Sequence, residues 1–163
     1  MSMSGLHTYL NDHRAGAEAG AELANKLRDR HEGTPHGPFF AELASAIEAD
    51  RDTLESLMAG LGVEQDRVKQ IAGWAAEKVS RVKLNERLTG SPELTRLLEA
   101  EALGLGITGK RALWIALKTV VEAYPSLAAV DLDSLIGRAE AQFNGLEQRR
   151  LEFASAALQP HDL

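Results

Sequence analysis

A chain of 163 residues suffices for one domain with a substantial core and is short for two, so the expected unit is a single domain over 1–163. The absence of cysteine excludes disulfides, thiolate metal sites and cysteine nucleophiles, and a formal net charge of -6 argues against a general nucleic-acid surface, which needs clustered Lys and Arg. No stretch approaches the roughly 20 apolar residues of a membrane span and the N-terminus carries no apolar leader, which makes the cytoplasm the expected location.

Alanine, leucine and glutamate dominate, and the apolar positions recur at helical spacing almost throughout. A first helix is expected over about 4–31, with Leu6, Leu10, His13, Ala17, Gly20, Ala24 and Leu27 on one face and Glu18 and Glu22 turned away from it. Gly33, Pro35, Gly37 and Pro38 interrupt it. So short a break sends the next helix back antiparallel, over about 39–61, with Phe40, Leu43, Ala44, Ile47, Leu54, Met58 and Leu61 in its stripe and Arg51 inside that stripe. Gly60 and Gly62 are its expected C-terminal caps.

A connector helix over about 64–88 carries Val68, Ile71, Ala75, Val79 and Val82 on its apolar side and stops at Gly90. Ser91-Pro92-Glu93 then reads as an N-cap, a first-turn proline and an early acid, opening a helix over about 92–124. This helix is apolar on two sides. Leu94, Leu97, Leu98, Leu105, Ala112, Ile115 and Ala116 form one stripe and Leu103, Ile107, Trp114, Leu117 and Val121 the other. The connector helix is expected to cover the second stripe, with a homodimer face including Trp114 as the other reading. Asp131 caps a last helix over about 132–158, where Leu135, Ile136, Ala139, Phe143, Leu146, Phe153 and Ala157 form the stripe and Arg150 interrupts it. The closing QPHDL segment is expected to fray. GLGITGK at 104–110 lies mid-helix, lacks the Walker spacing and follows no strand, so it is read as close packing or a bend and not as a phosphate loop.

Counted from the two tight turns, His13, Arg51, Glu101 and Arg150 fall at depths of roughly 27, 23, 34 and 28 Å, using 1.5 Å per residue. Each long helix thus offers one polar residue to its inward stripe at nearly one level. Glu48 and Glu147 sit one turn from the arginines. Because a buried charge needs a partner, Glu101 is expected between Arg51 and Arg150, with His13, Glu48 and Glu147 completing the bonds.

Two antiparallel helix pairs joined by a crossover, with Glu48-x-x-Arg51 and Glu147-x-x-Arg150 on the second helix of each pair, resemble the ferritin-like superfamily. The resemblance covers the whole chain in architecture and implies an all-α, ferritin-like antiparallel four-helix bundle with one crossover helix. In that family the motif is Glu-x-x-His, and with one further Glu from each of the other two helices it holds two iron or manganese ions. Here arginine replaces histidine, and a guanidinium has no lone pair for a cation. Opposite Glu48 the first helix offers only Glu18 and Glu22, which face away, and opposite Glu147 the fourth offers Thr108, Lys110 and Arg111.

The resemblance with these departures implies a non-catalytic ferritin-like protein without metal, cofactor or catalytic residue. Its polar cluster of His13, Arg51, Glu101, Arg150, Glu48 and Glu147 would serve as a salt-bridged centre or as a site for a small anion or carboxylate. Protein binding, including a homodimer, is the accompanying expectation. The alternative is a carboxylate-type metalloprotein using Glu48, Glu101, Glu147 and His13, with oxidase, peroxide-handling or metal-storage chemistry.

Overall fold

The computed structural model describes residues 4–66, 73–88 and 90–160. Among them are five α-helices and no strand: α1 (Ser4–His31), α2 (Gly37–Gly60), α3 (Gly73–Leu88), α4 (Pro92–Lys118) and α5 (Leu132–Leu158). No described helix is long and apolar enough to cross a membrane. Val68, Ile71 and His161 lie outside the described residues, as do the side chains of Ala75 and Val79.

The boundaries follow local chemistry. After α1, Gly33 takes φ 76, and Thr34 donates from both its backbone N and Oγ1 to the His31 carbonyl, at 3.0 and 2.7 Å. After α2, Gly62 at φ 68 lets its own N–H reach Ala59 O and the Val63 N–H reach Met58 O, a Schellman closure that buries Val63. Ser91 and Asp131 cap α4 and α5 by accepting from the N–H groups of Leu94 and Ser134. Helix α4 stops at Lys118, six residues short of the expected Tyr124. The β-branched run Thr119-Val120-Val121 is a poor helix former, and Pro125 pushes Tyr124 out of the helical region to φ -130, ψ 89. Two 3-10 turns, Val121–Ala123 and Pro125–Ala129, replace the missing turns and bury Leu127.

Helix directions can be read from side-chain pairs. Arg51 meets Glu18 and Arg14 meets Glu55, so α1 and α2 are antiparallel. Arg150 meets Glu101 and Lys118 meets Asp133, so α4 and α5 are antiparallel as well. Arg30 meets Glu99 while His13 shares a cavity with Trp114, which sets α1 against α4 in the same sense. The Arg149 guanidinium lies over the Phe39 ring and Arg138 meets Asp50, pairing α2 with α5 likewise. Helices α2 and α4 therefore run the same way, and a long connection must return between them. Asn11, near the start of α1, holds Glu64 O and Asp66 N, whereas Lys26 and Arg30, near its end, hold Glu86. The connection thus travels the length of α1, and α3 packs on α4 through Asn85, which donates to Thr95.

Two apolar clusters fill the interior. One gathers Leu27, Phe40, Ile47, Leu103, Leu146 and Phe153, and the other Leu10, Leu54, Met58, Leu113, Trp114 and Leu127. Trp114 is 1% exposed, packed under α1, α2 and the 3-10 turns. It cannot form a homodimer face. The outward side of α4 is instead the stripe with Leu105 and Ile115, which stay exposed together with Phe143 of α5.

Candidate functional site

The six residues expected to converge divide into two groups on different sides of α4. Arg150 forks onto Glu147 of its own helix, donating from Nε and Nη2 at 2.7 and 2.5 Å, and reaches Glu101 at 3.3 Å. Hydrogen bonds from Arg150 hold the Glu147 carboxyl below its usual range, and the same bonds raise the Arg150 guanidinium. The Arg150 side chain is 28% exposed and Glu101 43%, so this group rims an open groove between α4 and α5 beside Leu105, Thr108 and Phe143. Its guanidinium is already matched by two carboxylates.

Arg51 lies elsewhere. It donates to Glu18 at 3.4 Å and to Asp52 at 3.3 and 3.4 Å, and it is 25% exposed. Glu18, expected to face away from the bundle, is therefore its partner, and neither Glu101 nor Arg150 is. Glu48 accepts from Asn25 at 2.7 Å. His13 packs edge-on to Tyr9, and burial lowers its pKa against the opposing charge of Asp12. The expected Arg51–Glu101–Arg150 centre does not form.

The buried polar centre is built from other residues. Asp50 is 2% exposed; its Oδ2 accepts from Lys110 Nζ at 2.6 Å and Gln142 Nε2 at 3.0 Å, and its Oδ1 is ion-paired with Arg138 Nη2 at 2.7 Å. Lys110 also donates to Gln142 Oε1 at 2.5 Å, closing the ring across α2, α4 and α5. Burial lowers the Lys110 pKa while Asp50 opposes that shift. A second deep charge, Glu99, is 0% exposed and 2.9 Å from Arg30, with its pKa raised by burial and drawn back by Arg30. His31 stacks against both Phe40 and Phe153, at 4.5 and 5.2 Å between ring centroids, in a cluster where the two phenyl rings are themselves 6.3 Å apart.

These residues carried a faint signal. Asp50 follows Ile47 by three and precedes Leu54 by four; Lys110 stands so between Ile107 and Trp114, and Gln142 between Ala139 and Leu146. Arg51 and Arg150 occupy the mirrored spacing, four after one apolar residue and three before the next. Both spacings fall within a stripe about 100° wide, and the apolar pattern alone does not separate them.

Beside the Asp50–Lys110 pair, α1, α2 and α4 enclose a cavity of about 50 Å³, walled mainly by apolar atoms. Arg51, His13, Lys110 and Trp114 are on its lining, and so are Gly16, Gly20 and Gly106. A Cβ built on any of these three glycines meets nothing within 4 Å, so close helix packing does not require them. Glycine inside a helix costs roughly 0.5–1 kcal/mol relative to alanine, and here that loss brings only open space. The indole Nε1 of Trp114 is buried with no hydrogen-bond partner among the described residues.

The two Glu-x-x-Arg motifs do not fit a two-metal centre. Glu48 and Glu147 are engaged by Asn25 and Arg150, and among the described residues no group of three His, Asp or Glu side chains could hold a metal ion. No protein-family model, curated protein or solved structure matches this chain.

Proposed function

We propose that the chain is a non-catalytic bundle of the ferritin-like kind whose polar centre is satisfied by fixed ion pairs, and that it acts by binding a small anion at Arg51. The helix directions, with α2 and α4 parallel and a long return along α1, support the ferritin-like reading. In this reading guanidinium and ammonium groups supply the positive charge that two cations supply in that family.

The observation that carries the anion site is the contrast between the arginines. Arg150 is gripped bidentately at short range, whereas the contacts of Arg51 are at 3.3 to 3.4 Å, near the outer limit of a hydrogen bond, and it lines an apolar cavity. Such a guanidinium keeps donors in reserve for a planar anion. Its partners, Glu18 and Asp52, are solvent-exposed enough to release it at little cost.

Metal loading and anion titration together test the reading. After exposure to Fe(II), Mn(II) and Zn(II) and desalting, the protein should retain no stoichiometric metal. Phosphate or acetate should raise its melting temperature, and Arg51→Met should abolish that rise while Arg150→Met leaves it. Two equivalents of tightly held metal, lost in Glu48→Ala or Glu147→Ala, would overturn the proposal and favour carboxylate-bridged metal chemistry.

A further inference from the structure

Resting on the anion reading above, we infer that the cavity between α1, α2 and α4 is a binding site for a small apolar carboxylate, an aliphatic or aryl acid whose head engages Arg51 and whose body fills the space left by Gly16, Gly20 and Gly106. Three independent features converge on this class of ligand. The lining is mainly apolar, so a fully hydrated inorganic ion gains little from entering beyond the rim. Glycines whose missing side chains no neighbour requires leave the room, on both the α1 and the α4 wall. Buried Trp114 has an indole N–H with no acceptor among the described residues. A buried donor left unpaired is costly, and a second ligand oxygen or a water drawn in with the ligand would satisfy it.

The charges at the rim fit the same class. Asp50 is neutralised by Lys110 and Arg138, so it does not repel an incoming carboxylate as a free anion would. Arg51 exchanges the 3.4 Å contact with Glu18 for the ligand oxygens. Burial keeps His13 deprotonated near neutrality, leaving an imidazole that donates one hydrogen bond and accepts another.

The test uses the full chain with Trp74→Phe, which leaves Trp114 as the sole tryptophan and a built-in reporter. Hexanoate and benzoate should change its emission saturably, whereas hexanol, with the same body and no carboxylate, should not. Gly106→Leu, which fills the cavity from α4, should weaken hexanoate at least about tenfold, since overfilling a packed site is strongly unfavourable. It should leave the phosphate effect at Arg51 intact. Gly16→Ala provides the control for folding: with no neighbour to strike, its Cβ should raise the melting temperature by about 2–4 °C through helix propensity while weakening hexanoate.

If phosphate binds at Arg51 but neither organic acid changes Trp114 emission, the cavity assignment is wrong and the anion reading stands. If neither phosphate nor an organic acid binds, both fall. Equal responses to hexanol and hexanoate would also overturn the carboxylate assignment, making the cavity a site for neutral apolar molecules.

Discussion

Asp50 of α2 and Lys110 of α4 meet at 2.6 Å in the interior, with the Asp50 carboxylate 2% exposed. The pair lies between residues of the two apolar clusters on both helices, Ile47 and Leu54 on one and Ile107 and Leu113 on the other, and Gln142 ties it to α5. It fixes the register of three helices through one carboxylate.

Removing Asp50 leaves Lys110 as a buried charge without a counterion, whereas removing Lys110 leaves Asp50 with Arg138 and Gln142. Asp50→Leu should destabilise the fold by about 3–5 kcal/mol and Lys110→Met by less, while the double substitution should cost much less than their sum. Urea unfolding of the four proteins in the cycle measures the coupling. Additive losses would show that each side chain acts through packing alone.

The Arg150–Glu147 pair should behave in the opposite way, since both side chains are partly open to solvent. Arg150→Met should cost no more than about 1 kcal/mol, and most of that should vanish in high salt. A loss as large as that of Lys110→Met would mean that the groove between α4 and α5 is more deeply desolvated than its geometry indicates.

Acid should weaken the fold through His31. Burial, followed by the neighbouring charges of His36, Arg96 and Arg30, lowers its pKa from 6.5 to about 4. A folded-state value below the unfolded one means that the stabilisation is complete above pH 6.5 and is lost as pH falls toward 4, because the unfolded chain takes up the proton first. Glu99 works with the opposite sign: its pKa is raised by burial, so it penalises the folded state at neutral pH, and its protonation returns stability on acidification. Melting temperatures between pH 7 and pH 4 should fall in the native protein and fall less in His31→Phe. Equal slopes in both would remove His31 as the cause.

Glycine positions should separate cleanly by location. At Gly145 a Cβ would lie 2.7 Å from Phe39 Cε2, and that ring is further held by the Arg149 guanidinium 3.9 Å from its centroid. Gly145→Ala should therefore destabilise by about 1–3 kcal/mol. At Gly20, where nothing lies within 4 Å, Gly20→Ala should stabilise by roughly 0.5–1 kcal/mol. Denaturant midpoints compare the two directly.

The apolar periodicity by itself determined that there are helices here, although residues 64–66, expected to open the connector helix, are not helical, and Ser91, Asp131 and Gly62 determined where three of the helices start or stop, because caps and stripes are local properties. Helix α4 ends six residues before its apolar pattern does, since weak helix formers and a following proline compete with that pattern past Lys118. Which polar residue enters the core was not a local property. Asp50 and Arg51 are adjacent on one stripe, as are Gln142 and the apolar residues around it, and the choice fell to Asp50 because Lys110, Gln142 and Arg138 from other helices meet it there. Helix α4 is apolar on two sides, so Trp114 and Leu105 looked equally fit for burial. The tertiary structure buried Trp114 under α1, α2 and the 3-10 turns and left Leu105 in water, because only one side of α4 can face the other long helices. Glu101 went outward with Leu105, taking Arg150 with it, and the cavity beside Arg51 came into being only where glycines on two different helices were brought face to face.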